Sequence, residues 1–160
     1  MKLMVNGYEA HVATGGKKFE KNLPTVLFLH GSGLDHRSWA LQTRWFAYNG
    51  FGVLAPDFPG HSLSKGAPCV TIEDSGKWLA DFLDAMGVRE AHVVGHSQGF
   101  LSALELSKLR PTALKSLIGV GTAAAIPVNP MLIETAGRSP MKAADLMLQW
   151  GFGHQTQMGV

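Results

Sequence analysis

The sequence is poor in several residue types that mark common classes of protein. Its 160 residues include one cysteine, Cys69, so the chain cannot form an internal disulfide, which fits a reducing compartment. Charged residues make up only 16% of the chain, against roughly 25% in an average domain. The lysines and arginines are scattered, so no basic run or stripe of basic and aromatic residues indicates nucleic-acid binding.

Long apolar runs are also lacking. No segment approaches the roughly 20 apolar residues of a membrane span. Asn6 and Gly7 directly follow the first five residues, which leaves no apolar stretch of the length that a signal peptide needs. We therefore expect a cytoplasmic protein with no membrane partner. With 46% hydrophobic residues, the chain is apolar enough and long enough for one domain with a hydrophobic core.

What the chain does contain is a regular alternation of strand and helix patterns. Short continuous apolar runs predict strands that are covered on both faces. These runs are residues 24–29, 51–55, 91–94 and 114–120. Residues 2–5 and 8–14, joined at Asn6-Gly7, predict an N-terminal hairpin.

Helical segments separate these strands. Thr71 and Asp74 form an approximate capping box, the apolar residues that follow recur with helical spacing, and Gly87 ends the segment. The other predicted helices are residues 38–48, 97–109, 131–136 and 140–150. Strand–helix–strand alternation predicts an α/β fold in which a mostly parallel sheet carries helices on both faces.

The most informative motif is Gly-His-Ser-Gln-Gly at residues 95–99, directly after the apolar run 91–94. A serine between a buried strand and the start of a helix, with glycine on either side, is typical of a nucleophile elbow. Such a turn holds the serine in a strained backbone conformation, and a side chain at Gly95 or Gly99 would collide with its neighbours. We therefore predict that the Ser97 hydroxyl is held clear of the chain.

Two further motifs follow the preceding strands. The sequence HGSG occupies residues 30–33, after the first buried strand, and DFPGHS occupies residues 57–62, after the next. In this order and spacing the motifs resemble those of the α/β-hydrolase family, in its branch with a serine nucleophile. The resemblance covers residues 1–126 as an N-terminal part of the hydrolase core and residues 127–160 as the beginning of a helical cap, or lid.

The resemblance implies a site and a reaction. It implies that Ser97 is the nucleophile and that the backbone N–H groups of Gln98 and Ser32, or of Gly33 instead of Ser32, form the oxyanion hole. The implied enzyme is a carboxylesterase-like hydrolase that acts on a small-molecule ester, thioester or related acyl substrate through an acyl-enzyme. A serine at the elbow argues against the epoxide-hydrolase and haloalkane-dehalogenase branches, which carry aspartate there. No cofactor is implied.

The other members of the family's catalytic triad do not follow the expected pattern. The family order is serine, then aspartate or glutamate, then histidine, and the only histidine after Ser97 is His154. Asp145 and His154 satisfy this order, but they lie on one predicted helix and its end instead of following two separate strands. We therefore expect no catalytic acid or histidine in this chain. On this interpretation the core lacks its C-terminal strands, and the chain is a largely inactive portion of a hydrolase cut within its cap.

Other titratable residues receive structural interpretations. We expect His30 to pack near the oxyanion loop, His96 to point away from the site, and Asp57 to bond backbone amides in its own turn. Three further histidines share no spacing typical of metal ligands, and we predict no metal site. They are His11, His36 and His92.

A second hypothesis makes the chain a non-catalytic remnant of an α/β hydrolase that binds an apolar ligand or a partner chain. It rests on the absent acid and histidine and on the sheet edge left open at residues 114–120. Because an unpaired apolar edge favours association, this hypothesis predicts a homo-oligomer formed through that edge.

Overall fold

The strands of the chain form one six-stranded sheet. The computed structural model describes residues 1–151. The strands are β1 (Lys2–Val5), β2 (Tyr8–Ala13), β3 (Thr25–Leu29), β4 (Gly52–Pro56), β5 (Ala91–His96) and β6 (Leu114–Val120). Their order in the sheet is β1-β2-β4-β3-β5-β6. The pairs β3–β4, β3–β5 and β5–β6 are parallel, whereas β1–β2 and β2–β4 are antiparallel. The predicted mostly parallel sheet is confirmed.

Five α-helices lie between or after these strands in the described part of the chain. They are α1 (Ala40–Tyr48), α2 (Ile72–Met86), α3 (Gln98–Leu109), α4 (Pro130–Arg138) and α5 (Pro140–Gly151). Short 3-10 turns precede α1 at His36–Trp39 and β6 at Pro111–Ala113. Each of the five helices was predicted from the sequence, with ends that differ by a few residues.

Strands β3 and β4 are buried along their whole length and β5 along most of its length, as their continuous apolar runs predict. β6 has no buried residue, so the expectation that residues 114–120 are covered on both faces was wrong, because this strand pairs only with β5 within the described residues. On β3, Leu27 and Leu29 belong to one hydrophobic core and Val26 and Phe28 belong to another. Successive side chains of a strand point to opposite faces, so the two cores lie on opposite sides of the sheet. The first core contains the apolar faces of α2 and α3, and the second contains Ala47 of α1. The predicted helices on both faces are therefore present.

The strand order creates a switch point beside β3. The connection through α1 leads from β3 to β4 on one side of it, whereas β5 lies on its other side. The segments that follow β3 and β5 leave the same edge of the sheet, and α1 and α3 then pack on opposite faces. In open α/β sheets the crevice between such segments is where ligands bind. The HGSG motif and Ser97 both lie at this position.

The ends of α2 follow from local chemistry. The Oγ1 atom of Thr71 accepts a hydrogen bond from the backbone N–H of Asp74 at 3.0 Å, which satisfies one of the unpaired donors at the helix start. At the other end Gly87 adopts a left-handed conformation with a φ of 66°, which glycine reaches without the steric penalty of a Cβ atom. Both features were predicted from the sequence.

The start of α1 differs from the sequence prediction of residues 38–48. The carboxylate of Asp35 accepts a hydrogen bond from the backbone N–H of Arg37 at 2.8 Å. This cap starts a 3-10 turn over His36–Trp39, and the α-helix begins only at Ala40. The same carboxylate pairs with the Arg37 guanidinium, which lowers the pKa of Asp35 to about 2.

The described part of the chain divides into two compact units, Met1–Ala125 and a second that begins at Ile126. The first contains the sheet with α1, α2 and α3, and the second contains α4 and α5. Pro130 begins α4, where its missing N–H costs nothing, and Asn129 caps that helix through the backbone N–H of Met131. Within residues 1–151, no helix combines the length and the apolar character that a membrane crossing requires.

Replacing Thr71 by alanine tests the cap of α2. We expect Thr71→Ala to lower the free energy of unfolding by about 1 kcal/mol, because the Asp74 N–H loses its acceptor at the helix start. Thr71→Ser keeps the hydroxyl and is expected to unfold close to the wild type. Urea unfolding monitored by circular dichroism measures both variants, and equal losses in the two would contradict the cap.

Candidate active site around Ser97

Ser97 alone connects β5 to α3, and its backbone is strained. Its φ is 50° and its ψ is −119°, a conformation that residues with a side chain rarely adopt. Such a conformation costs about 1–3 kcal/mol and persists only where the surroundings enforce it. The strained turn that the GHSQG motif predicts is therefore present.

Backbone hydrogen bonds hold Ser97 in place. Its N–H donates to the carbonyl of Val120 at 3.1 Å, and its carbonyl accepts from the N–H of Phe100 at 3.1 Å. The Thr122 hydroxyl donates to the same carbonyl at 3.1 Å. The end of β6 and the residues just after it thus support the turn. Sequence reasoning missed Val120 and Thr122, because no local motif marks them.

The two glycines of the motif allow the chain to pack closely at the turn. A Cβ atom on Gly95 would lie 2.5 Å from the backbone N and Cα of Phe100. A Cβ atom on Gly99 would lie 2.6 Å from the carbonyl oxygens of Leu29 and His30. Both distances fall well inside van der Waals contact with backbone atoms, which cannot move aside easily. The predicted collisions are confirmed.

The HGSG loop after β3 touches the turn. A Cβ atom on Gly31 would lie 3.2 Å from the Cβ of Ser97, and the Ser32 hydroxyl donates a hydrogen bond to the Gln98 side-chain carbonyl. Neither the backbone N–H of Ser32 nor that of Gln98 donates to an acceptor among residues 1–151. Two amide donors on adjoining segments are therefore available at this site.

The Ser97 hydroxyl is half-buried and makes no hydrogen bond within the described residues 1–151. This hydroxyl is not among the buried polar atoms that lack a partner, so it is accessible from solvent, as a nucleophile that attacks a substrate must be. The free hydroxyl, the strained backbone and the two free amides lie together at the switch point of the sheet. This arrangement suits attack on a carbonyl whose oxygen needs two hydrogen-bond donors.

His30 is held inside the fold as a structural residue. Its ring is buried, with 1% of its surface exposed. Its Nε2 accepts from the backbone N–H of Phe58 at 3.1 Å, so its Nδ1 carries the proton and donates to the Gly31 carbonyl at 2.9 Å. Burial lowers the pKa of His30 below its usual value, which keeps the ring neutral. Both nitrogens are engaged, in agreement with the structural interpretation of this residue.

His96 does not point away from the site, and that expectation was wrong. Its ring packs against the HGSG loop, because a Cβ atom on Gly31 would lie 2.7 Å from its Nδ1. The other side of the ring faces Gly121, whose Cβ would lie 3.4 Å away. The lack of side chains at both glycines makes the space that the ring fills, which sequence spacing does not reveal.

Of the two residues that satisfy the family order of acid and histidine, the structure describes only Asp145. Asp145 lies on α5 in the second unit, and His154 lies outside the described residues. The pairing of these two residues therefore stays an untested expectation, as does the assignment of Ser97, Ser32 and Gln98 to catalytic roles.

A second group of polar side chains lies at the end of β4. The Asp57 carboxylate is fully buried, and its Oδ1 accepts from the backbone N–H and the ring Nδ1 of His36 at 2.8 and 2.9 Å. Its Oδ2 accepts from the backbone N–H of Leu63 at 3.3 Å. Only this last bond lies within the turn that the sequence predicted, so the expectation for Asp57 was incomplete. The ring of His11 lies beside that of His36, with centroids 4.6 Å apart.

Comparison with known proteins identifies the family. The sequence pattern of the alpha/beta hydrolase fold matches residues 24–158, so the chain belongs to the α/β-hydrolase family. The chain is 37% identical over 105 residues to the dihydrolipoyllysine-residue acetyltransferase component of the acetoin cleaving system of Cupriavidus necator. The matched stretch covers 62% of this chain and 28% of that protein. The chain is also 29% identical over 121 residues to epoxide hydrolase 2 of Siraitia grosvenorii. This match covers 74% of this chain and 37% of that protein.

A solved relative shows the same fold. The enol-lactonase from Burkholderia xenovorans LB400 superposes with a TM-score of 0.80 at 27% sequence identity, over 92% of this chain and 58% of that one. The chain thus spans less than half the length of the curated relatives it matches and little more than half of this structure. Two of these three relatives are named as hydrolases, one of an epoxide and one of an enol-lactone, and the third is named as an acetyltransferase component.

Substitution of Gly99 tests the close packing at the turn. We expect Gly99→Ala to lower the free energy of unfolding by about 2–3 kcal/mol, because its Cβ would overlap two backbone carbonyl oxygens. Gly137→Ala is the matched control, since a Cβ on this helical glycine meets nothing within 4 Å and is expected to stabilise slightly. Urea unfolding compares the two, and a Gly99→Ala protein as stable as the wild type would contradict the packing.

Proposed function

We propose that Ser97 is the nucleophile of a serine hydrolase that cleaves an ester, thioester or related acyl bond. One observation carries this proposal. The hydroxyl of Ser97 has no partner among residues 1–151, although the fold maintains a strained backbone to present it. Strain at one residue is retained where it serves a function, since a relaxed turn would be more stable.

In the proposed reaction, Oγ of Ser97 attacks the carbonyl carbon of the substrate and gives up its proton to a base. The carbonyl oxygen becomes an oxyanion, which accepts hydrogen bonds from the backbone N–H groups of Ser32 and Gln98. The intermediate collapses to an acyl-enzyme with loss of the leaving group, and water then hydrolyses the ester on Ser97. Loss of one such donor commonly costs about 2.7–4 kcal/mol in transition-state stabilisation.

The base is the part of the proposed machinery that residues 1–151 do not provide at Ser97. No histidine in that range bonds to the Ser97 hydroxyl, and His30 uses both ring nitrogens elsewhere. We propose that the histidine and its acid partner lie outside residues 1–151. The proposed activity and substrate therefore belong to a protein that includes this histidine and this acid.

The proposed substrate class rests on the residue at the elbow and on one relative. A serine attacks to give an ester that water can hydrolyse, whereas the epoxide-hydrolase branch uses aspartate at this position. The solved relative from Burkholderia xenovorans is named as an enol-lactonase, and a lactone is a cyclic ester. Both points favour acyl substrates over epoxides. We therefore propose a carboxylesterase-like hydrolase.

A second candidate function is a binding module without catalysis. In the described residues β6 pairs only with β5, and its Ile118 and Val120 are exposed. An edge strand with exposed apolar side chains favours pairing with a further strand. This candidate becomes the better one if the hydroxyl of Ser97 proves to have no unusual reactivity, since the elbow would then serve the fold alone.

Substitution by cysteine tests the electrostatics of the elbow without any need for the missing base. We expect the thiol introduced by Ser97→Cys to react with iodoacetamide with a lower pH midpoint than an ordinary thiol. The start of α3 and the two free amides stabilise the thiolate. The control is Ser62→Cys, at an exposed residue with a similar φ of 47°. Mass spectrometry follows the alkylation, and equal midpoints in the two variants would argue against the oxyanion hole.

Chemical rescue tests the nucleophile and the missing base together. Where serine and histidine act as a unit, loss of the histidine costs about as much as loss of the serine. The 160-residue chain is therefore expected to hydrolyse p-nitrophenyl acetate no faster than Ser97→Ala. Added imidazole is expected to raise the rate of the wild type and of Ser62→Ala above that of Ser97→Ala at the same imidazole concentration.

Two results of the rescue experiment would change the proposal. Fast Ser97-dependent turnover without imidazole would show that the chain holds its own base, and its loss in His154→Ala would identify that residue. Identical rates in the wild type and Ser97→Ala at every imidazole concentration would refute the nucleophilic role of Ser97.

A further inference from the structure

Three side chains with metal-binding atoms meet away from Ser97. His11 lies on β2, His36 begins the 3-10 turn after β3, and Asp57 directly follows β4. One ring nitrogen of each histidine and one carboxylate oxygen lie within 4.8 Å of one another. The fold alone brings these residues together, since they lie far apart in the sequence.

The spacing of the two closest atoms fits a shared metal ion. The Nδ1 of His36 and the Oδ1 of Asp57 are 2.9 Å apart. In a tetrahedral site whose ligands lie about 2.1 Å from the ion, two ligand atoms are about 3.4 Å apart, so these two atoms need to separate by only about 0.5 Å. An ion can therefore replace the proton that His36 now donates to Asp57, and that proton then passes to solvent.

His11 is placed to supply the third ligand. In the same tetrahedral geometry the His11 nitrogen must lie about 3.4 Å from the other two ligand atoms, so closure from at most 4.8 Å needs a shift of at most about 1.4 Å. The side chains of His11 and His36 are partly exposed, that of His36 to 18%, which leaves a path for an ion from solvent.

The charge balance at Asp57 also favours a cation. This carboxylate is fully buried, and no lysine or arginine pairs with it in the part of the chain that the structure describes. Among residues 1–151, the one side chain that bonds to it is the His36 imidazole. A buried carboxylate is costly unless a positive charge lies close to it, and a divalent ion would supply that charge.

We propose that His11, His36 and Asp57 form a binding site for one divalent transition-metal ion, with water completing its coordination. Two imidazoles and one carboxylate suit zinc and its neighbours, whereas magnesium and calcium prefer oxygen ligands alone. This site is separate from the proposed chemistry at Ser97, because β3 lies between β4 and β5 in the sheet.

The ion would add to the contacts that join β2 to β4. These strands pair at Val12 with Pro56 and at Ala13 with Ala55, and the backbone N–H of Asp57 donates to the His11 carbonyl at 3.0 Å. A metal bound by His11 and Asp57 would clamp β2 to the end of β4, next to these pairs. Since the ion binds the folded state through three separate segments, it is expected to raise the melting temperature.

Equilibrium dialysis tests the site on the full chain after treatment with EDTA. The wild type is expected to bind one Zn²⁺ per chain, and Co²⁺ is expected to give visible absorption bands typical of nitrogen and oxygen ligands. We expect His11→Ala and His36→Gln each to weaken binding at least about ten-fold. The control His92→Ala, at a histidine bonded to Ser116 instead, is expected to bind like the wild type.

His11→Ala decides the outcome if His36→Gln does not fold, because His11 does not contact the buried carboxylate through a hydrogen bond. No bound metal in the wild type at micromolar Zn²⁺ would overturn the proposal. Wild-type affinity in His11→Ala would also overturn it, as would an equal loss of affinity in His92→Ala.

Discussion

The site depends on one backbone constraint, which is that β5 must become α3 within a single residue. Ser97 takes up the whole change of direction with a φ of 50°. The turn fits only because Gly95 and Gly99 leave space for the backbone of neighbouring segments. Val120 and Thr122 then hold the strained residue through hydrogen bonds. Within residues 1–151 this packing leaves the Ser97 hydroxyl without a hydrogen-bond partner, and the proposed chemistry follows from it.

The sheet supplies the rigid frame for that turn. Because β3 and β5 are parallel neighbours and are buried on both faces, the segments that follow them emerge side by side. The HGSG loop therefore meets the elbow, and the amides of Ser32 and Gln98 lie on adjoining segments. The same edge of the sheet also carries Asp57 at the end of β4, where the proposed metal site joins the hairpin to the core.

Sequence reasoning succeeded where the physical cause is local. The cap at Thr71, the left-handed Gly87 and the packing of Gly95 against Phe100 each involve residues only a few positions apart, and all were predicted. It failed where the cause is a long-range contact. The packing of His96 against Gly31, the support of Ser97 by Thr122, and the meeting of His11 with His36 depend on strands that are distant in the sequence.

A crystal structure of the chain tests the central claim most directly, since it measures the conformation of Ser97 and the direction of the amides beside it. We predict a φ near 50°, an Oγ with no partner in the protein, and the N–H groups of Ser32 and Gln98 converging on one point about 2.7–3.1 Å from each nitrogen. A relaxed Ser97 with a negative φ and a hydroxyl bonded within the core, or amides that turn away from each other, would contradict the account.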